Sequence, residues 1–371
     1  MHTMIPFINV RAQREAYLSE FKQAEQEVLD SGCFIGGPAV KALESELAEF
    51  TGAKHAITCG SGTDALTIAL LALGLKPGDE VIVPDFTFIA PAECVMRLGG
   101  IPKFADIDAE TLQVSAESIA NLITPKTKGI IAVNLFGQCA PYAEIQECAR
   151  ANSLWLIEDS AQAFGATQNG VPACTFGDIS ITSFYPAKPL GCYGDGGALF
   201  TANDELAQSI RLIANHGSQT RYIHEICGMN SRLDAIQAAV LRVKFRHFKD
   251  ELKKRSENAR KYDEFFNTIP GIAPQKIAEG NTSTYAQYTV LAEDRATFLK
   301  QLESAGVPYC IHYPMPLHTQ PCFKELAQAF ENASRDGAIN NATVACQKVV
   351  SLPMCAFTDV DEIIARLKKV M

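Results

Sequence analysis

Between Val40 and Gly197 two periodicities alternate along the chain. Apolar residues three and four apart mark helices, and short runs rich in Val, Ile and Phe mark strands. Pro38 opens a helix that sets Val40, Leu43, Leu47 and Phe50 on one face, and Gly52 ends it. His55 to Cys59 reads as a strand, Thr63 to Leu73 as a helix, and Glu80 to Val83 and Gly129 to Asn134 as further strands. Leu154 to Glu158, Ile179 to Phe184 and Ala198 to Thr201 complete the strand set, and Asn203 caps a helix that runs through Ile213. Strands joined by crossover helices predict an α/β fold with a mostly parallel central sheet sandwiched by helices.

The texture changes afterwards. Leu233 to Phe266 keeps helical spacing for more than thirty residues and is dense in Lys, Arg and Glu from Lys244 onward. That length predicts a connector into a second unit, which divides the chain into a large α/β domain at 1–245 and a small C-terminal α+β domain at 246–371. In the small domain, Tyr285 to Leu291 and Tyr309 to His312 read as strands, and Ala296 to Ala305 and Asp359 to Val370 as helices. There is no internal repeat or low-complexity tract.

Composition narrows the class. The 371 residues are 47% hydrophobic and 20% charged, an ordinary globular balance that excludes a disordered chain. A formal charge of -9 lacks the basic excess that holds nucleic acid or an anionic membrane, so neither is an expected partner. The most apolar stretch, Ala65 to Leu75, is too short to span a bilayer and reads as a buried helix. Twelve scattered cysteines never form C-x-x-C, and the start lacks a signal-peptide pattern. Free thiols in the cytoplasm are the expectation, with no metal site.

Four segments could carry chemistry. Cys59-Gly60-Ser61-Gly62-Thr63-Asp64-Ala65 lies between a predicted strand and a helix, where glycines let free helix amides approach a phosphate. The same letters fit G-x-G-x-x-A, with Asp85 some twenty residues on at a strand end, so a nicotinamide-dependent oxidoreductase is a rival. Asp159 ends the strand that starts near Trp155, where ligands of open α/β sheets gather, although an Asp there can also simply cap a turn. Lys188 sits between Pro186 and Pro189 ahead of a glycine cluster, which keeps it off a helix surface. A lysine in a partly desolvated pocket loses its proton readily and can attack a carbonyl. Asn230 and Arg232, just before the long helix, could reach an anion, although a capping turn with Asn or Ser explains the same letters without a ligand. In order, these are the parts pyridoxal phosphate demands: a phosphate cradle, a carboxylate for the ring nitrogen and an imine-forming lysine.

The segments Glu158-Asp159-Ser160-Ala161-Gln162, Ser183-Phe184-Tyr185-Pro186-Ala187-Lys188 and Asn230-Ser231-Arg232-Leu233-Asp234 resemble the DegT/DnrJ/EryC1/StrS family of sugar aminotransferases. The likeness extends from Ile5-Pro6-Phe7 to Ser351-Leu352-Pro353-Met354. It implies the aspartate-aminotransferase-like fold type I of pyridoxal 5'-phosphate enzymes, with pyridoxamine phosphate as the second cofactor form. It further implies Lys188 as the catalytic, cofactor-bearing lysine, Asp159 at the pyridine nitrogen, Gln162 near the ring face and hydroxyl, and Phe88 stacked on the ring. The phosphate would rest on Gly62, Thr63 and Ser183. The family's homodimer would bring Asn230 from the neighbouring subunit to that phosphate. Lys188 to Gly197 and His312-Tyr313-Pro314 look most like members that aminate UDP-2-acetamido-2-deoxy-3-oxo-glucuronate for lipopolysaccharide O-antigen synthesis. That likeness implies glutamate as amino donor and Arg232, His312 and Tyr313 as sugar contacts. UDP- or dTDP-linked 4-keto or 3-keto deoxysugars remain the alternative acceptors.

Overall fold

The computed structural model describes residues 4–325 and 340–371. The strands, in chain order, are β1 (His55–Cys59), β2 (Glu80–Pro84), β3 (Ile101–Ala105), β4 (Thr127–Val133), β5 (Trp155–Asp159), the short hairpin β6 (Thr167–Gln168) and β7 (Val171–Pro172), β8 (Ile179–Ser183), β9 (Gly197–Thr201), β10 (Ile272–Pro274), β11 (Tyr288–Ala292) and β12 (Val349–Leu352). Seven of them form one sheet in the order β1-β9-β8-β5-β4-β2-β3. Pairings from β8 through β5, β4 and β2 to β3 are parallel, whereas β9 runs antiparallel to both β8 and β1. The α/β expectation therefore holds, with an antiparallel margin.

Burial on both faces explains why these strands read as apolar runs. On one face, the helix Gly62–Ala72 is buried along Ala65, Leu66, Ile68, Ala69 and Leu70 and packs among Val81, Val83, Ile157 and Ile181. This is the stretch that was too short for a membrane span, and it is a core helix. On the other, Ile130, Ala132 and Leu156 pack with Tyr142 and Ile145 of the helix Tyr142–Ala151. The helix Gly37–Thr51 carries Pro38 in its first turn and buries Val40, Leu43 and Leu47, and Gly52 closes it at φ 78°. Asn203 caps the helix Asp204–Ala214 by accepting from the amides of Glu205 and Leu206.

The long helix Ala235–Phe266 spans 32 residues. Its first half packs Ala235, Ala238 and Leu241 against Phe184 and Phe200 beside the large sheet. Its second half packs Ala259, Tyr262 and Phe266 against Val290, Val350 and Leu352 of the small antiparallel sheet β10-β11-β12.

Three local readings change. Tyr309 to His312 is not a strand: it makes one bridge, Cys310 to Ser351, with Pro308 and Pro314 on either side limiting further donors. Strand β11 begins at Tyr288 rather than Tyr285, because 284–287 bends onto Gly137, with the Thr284 amide donating to the Gly137 carbonyl at 2.9 Å. Strand β3 is additional; Pro102 and Lys103 interrupt its pattern, and both are tolerated because β3 lies at the sheet edge.

Candidate active site

The carboxyl ends of β2, β5 and β8 and the start of the helix Gly62–Ala72 meet around a cavity of about 550 Å³. Ser61, Gly62, Thr63, Thr87, Phe88, Asp159, Gln162, Ser183, Tyr185, Lys188 and Asp195 line it from the large sheet. Gln287, His312 and Tyr313 line it from the C-terminal side. Nine expected site residues thus share one cavity: Gly62, Thr63, Phe88, Asp159, Gln162, Ser183, Lys188, His312 and Tyr313.

The anion end is built from a tight approach of backbones. Ser61 caps the helix by accepting from the Asp64 amide, leaving the Gly62 and Thr63 amides at the positive end of the helix dipole. A Cβ on Gly62 would lie 2.7 Å from Ser183 Cβ, so only glycine lets the turn sit against β8. Ser231, which from sequence reads only as a candidate cap, clasps this turn: its hydroxyl accepts from the Gly60 amide at 2.9 Å and donates to Asp64 Oδ2 at 2.8 Å.

Asp159 is 5% exposed, and its Oδ1 accepts from the Ala161 amide at 2.9 Å. Burial pushes its carboxyl up to about 6 and the charge of Glu158 adds to this, while the Ala161 amide and the Lys188 charge oppose it. Glu158 points to the other side of the strand, where Asn134, Ser160, Ser180 and the amides of Cys174 and Phe176 all donate to it. Five donors fix its carboxyl group in place and lock the end of β5.

Lys188 projects from the loop after β8. That loop folds on itself through Lys188 N to Tyr185 O at 2.8 Å, Cys192 N to Phe184 O at 2.7 Å and Phe184 N to Gly196 O at 2.8 Å. Burial lowers the Lys188 amine from its ordinary value, and Asp159 opposes the shift. His312 is lowered as well, by burial and then by the Lys188 charge, and its Nδ1 is hydrogen-bonded to Ser351 Oγ at 3.0 Å. Gln162 accepts from the Phe136 amide at 2.8 Å and donates to Tyr313 Oη at 3.2 Å. Phe88 is 53% exposed at the cavity, its ring centroid 6.4 Å from that of Tyr313.

Asn230 and Arg232 do not enter this cavity. Both are exposed, and Arg232 donates to Asn230 Oδ1 at 2.6 Å and to Asn215 Oδ1 at 3.4 Å.

The dinucleotide alternative fails on topology. A Rossmann site needs the strand before the glycine turn to pair in parallel with the next one. Here β1 is an edge strand antiparallel to β9, with four strands between it and β2, the next strand in the chain. Asp85 is fully buried and accepts from His318 and Asn340 instead of facing the glycine turn.

Comparison with known proteins agrees with this geometry. Residues 16–368 match the DegT/DnrJ/EryC1/StrS aminotransferase family. The chain is 45% identical over 356 residues to the UDP-2-acetamido-2-deoxy-3-oxo-D-glucuronate aminotransferase of Pseudomonas aeruginosa, covering 96% of each chain. It is 40% identical to a pleiotropic regulatory protein of Geobacillus stearothermophilus, over 94% of this chain and 93% of that one. It is 39% identical to the UDP-N-acetyl-3-dehydro-alpha-D-glucosamine 3-aminotransferase of Acidithiobacillus ferrooxidans, over 100% of this chain and 98% of that one. Among solved structures, NtdA of Bacillus subtilis with bound cofactor PMP superposes with a TM-score of 0.89 at 30% identity, covering 100% of this chain and 86% of that one. Sequence, sheet order and site thus lead to one assignment: the chain belongs to the DegT/DnrJ/EryC1/StrS aminotransferase family and has the fold type I architecture of pyridoxal-phosphate enzymes.

Proposed function

We propose that the chain moves an amino group from L-glutamate to the keto group of UDP-2-acetamido-2-deoxy-3-oxo-glucuronate, in the cytoplasm, for lipopolysaccharide O-antigen synthesis. The observation that carries the reading is that Lys188 and Asp159 face one cavity whose far end is the glycine turn at Gly62. The 45% identity to an enzyme named for that sugar supports the acceptor, and twelve free cysteines suit a reducing compartment.

The residues present fit pyridoxal phosphate. The turn that a Cβ on Gly62 would block, with the amides of Gly62 and Thr63 and the hydroxyl of Ser183, suits the phosphate. Asp159 suits a protonated ring nitrogen, and Phe88, beside Tyr313, suits the ring face. When bound, the cofactor supplies an electron sink for the carbon that loses its proton.

The chain's own groups do the rest. Lys188, its amine lowered by burial, is nucleophilic enough to bear the cofactor, and once displaced it takes the proton from the donor's amino-bearing carbon and returns one to the sugar carbon. Asp159 holds the ring-nitrogen proton. Gln162, fixed by Phe136 and bonded to Tyr313, orients the ring hydroxyl edge. His312 is held toward its neutral form, so the fixed positive charge for a sugar carboxylate falls to Arg232 of a second copy, with Asn230 beside it at the phosphate. A homodimer follows from that reading, because both residues lie outside the cavity of their own chain. We also read two domains, 1–245 presenting the cofactor side and 246–371 the wall of Gln287, His312 and Tyr313.

A UDP- or dTDP-linked 4-keto or 3-keto deoxysugar is the second reading, and it leaves Arg232 without a carboxylate to bind. The test offers purified enzyme a panel of 3-keto and 4-keto nucleotide sugars, with and without a uronate carboxylate, together with several amino donors. Amination of the 3-keto uronate with glutamate is expected. Reaction of neutral 4-keto sugars alone overturns the acceptor.

A further inference from the structure

The cavity has two unlike sides. Seventeen of its twenty lining residues come from the large sheet and its loops, including Gly62, Thr63, Phe88, Asp159, Ser183 and Lys188. The other three, Gln287, His312 and Tyr313, line it from the C-terminal side. Two of the three are already engaged: His312 Nδ1 with Ser351 and Tyr313 Oη with Gln162. The third is not. Gln287 Oε1 is buried and has no hydrogen-bond partner among the described residues.

A buried amide oxygen without a partner carries a desolvation cost that a ligand donor would remove. The segment bearing it is held rigidly. Thr284 donates from its amide to the Gly137 carbonyl at 2.9 Å and from its hydroxyl to the Gln162 carbonyl at 2.9 Å, and Arg255 donates to the Tyr285 carbonyl at 3.0 Å. Tyr285 takes φ 46° there, and β11 starts at Tyr288. Gln287 is therefore the side chain between a fixed turn and a fixed strand, and its backbone moves little to meet a ligand.

We propose that Gln287 is a specificity residue for the sugar, accepting a hydrogen bond from a donor next to the reacting carbon, either a hydroxyl or an amide N–H. This rests on the nucleotide-sugar reading above. Its chemistry selects against a ring that presents an acceptor or nothing at that place, because Oε1 then stays buried and unpaired. Thr87 Oγ1, the other unpartnered buried atom of the cavity, lies on the cofactor side next to Phe88 and is not part of this assignment.

The test compares wild-type holoenzyme with Gln287→Met, which keeps length and loses the acceptor, and Gln287→Glu, which keeps an acceptor. The probes are a UDP-linked 2-acetamido-3-amino uronate and its 2-deoxy counterpart, which has no donor at C2, run in reverse so that the cofactor's absorbance reports each half-reaction, with calorimetric Kd as an independent readout. Gln287→Met should lower kcat/KM and weaken binding of the sugar about 10- to 100-fold, the range expected when a buried hydrogen bond in a specificity site is lost. The loss in its half-reaction with glutamate should be clearly smaller than the loss with sugar, and Gln287→Glu should recover part of the sugar loss. A penalty confined to the acetamido sugar assigns the N–H, and a penalty on both assigns a ring hydroxyl. Equal sugar kinetics in Gln287→Met and wild type, or equal losses with sugar and glutamate, overturn the proposal. A wild-type enzyme inert toward every nucleotide sugar instead overturns the functional reading beneath it.

Discussion

Gln162 and Tyr313, 151 residues apart, are joined across the cavity by a 3.2 Å hydrogen bond from the Gln162 amide to the Tyr313 hydroxyl. Gln162 follows β5, and Tyr313 follows the Cys310–Ser351 bridge to the small sheet. The two sheets therefore share a polar contact at the site as well as the long helix behind it. Tyr313→Phe removes one partner and leaves the ring in place. Stability should fall by about 1 kcal/mol and kcat/KM for the sugar by about 3- to 10-fold. Thermal melts and steady-state kinetics check both, and an unchanged kcat/KM counts against a role for the contact in catalysis.

Ser231 predicts a different loss. Ser231→Ala frees the Gly60 amide and the Asp64 carboxylate together, so the glycine turn loosens. A cost of about 1–3 kcal/mol is expected, together with a weaker hold on the cofactor phosphate. Equilibrium dialysis of the cofactor measures the second effect, and unaltered retention argues against the clasp.

Gly62→Ala attacks the same turn from inside. The new Cβ would meet Ser183 Cβ at 2.7 Å, and overpacking of this kind costs about 1–3 kcal/mol. Cofactor affinity should fall about 10- to 100-fold, a loss of the same size on the binding scale. Titration of the unloaded protein with pyridoxal phosphate gives the answer directly.

Asp159 links pH to both stability and loading. Its carboxyl lies at about 6, above the ordinary 3.8, so the folded chain holds this proton more tightly than the unfolded one. Stability of the unloaded protein should fall as pH rises from about 4 to 6, since the native state must give up a proton there. Asp159→Asn removes the buried charge and should be more stable than wild type at pH 7, by on the order of 3 kcal/mol, with the gap closing below pH ~4. The same variant should hold the cofactor poorly at every pH, whereas wild type weakens only below pH ~6, where Asp159 becomes neutral. Melts and cofactor titrations from pH 4 to 8 test the pair of effects, and a wild-type stability flat across pH 4–6 contradicts the assignment.

How much of this was legible in the sequence depended on whether a residue's meaning is local. Strands β1, β5, β8 and β9 could be read because burial on both faces leaves continuous apolar runs bounded by turns. Strand β3 could not, since an edge position tolerates Pro102 and Lys103 inside the run. The helix Leu18–Ser31 was not read either: it buries only Phe21 and Val28, a thin apolar face in an otherwise polar segment. Tyr309 to His312 has strand-like residues, but Ser351 offers it one bridge and no ladder.

The site divides the same way. Lys188, Asp159 and Gly62 announce themselves by residue type at strand ends and turns. Ser231 looks like a capping serine until Gly60 and Asp64 are brought to it across 167 to 171 positions. Glu158 looks like a mere neighbour of Asp159 until its five donors are in place. Gln287 has no local signature at all, because its meaning lies in an Oε1 atom without a partner among the described residues.

The account turns on the amine of Lys188. Borohydride reduction of the coloured holoenzyme, followed by proteolysis and mass spectrometry, should find the cofactor fixed to the peptide that contains Lys188, and Lys188→Ala should be colourless and without measurable transamination. Cofactor fixed to another lysine, or a Lys188→Ala enzyme that turns over at the wild-type rate, contradicts it.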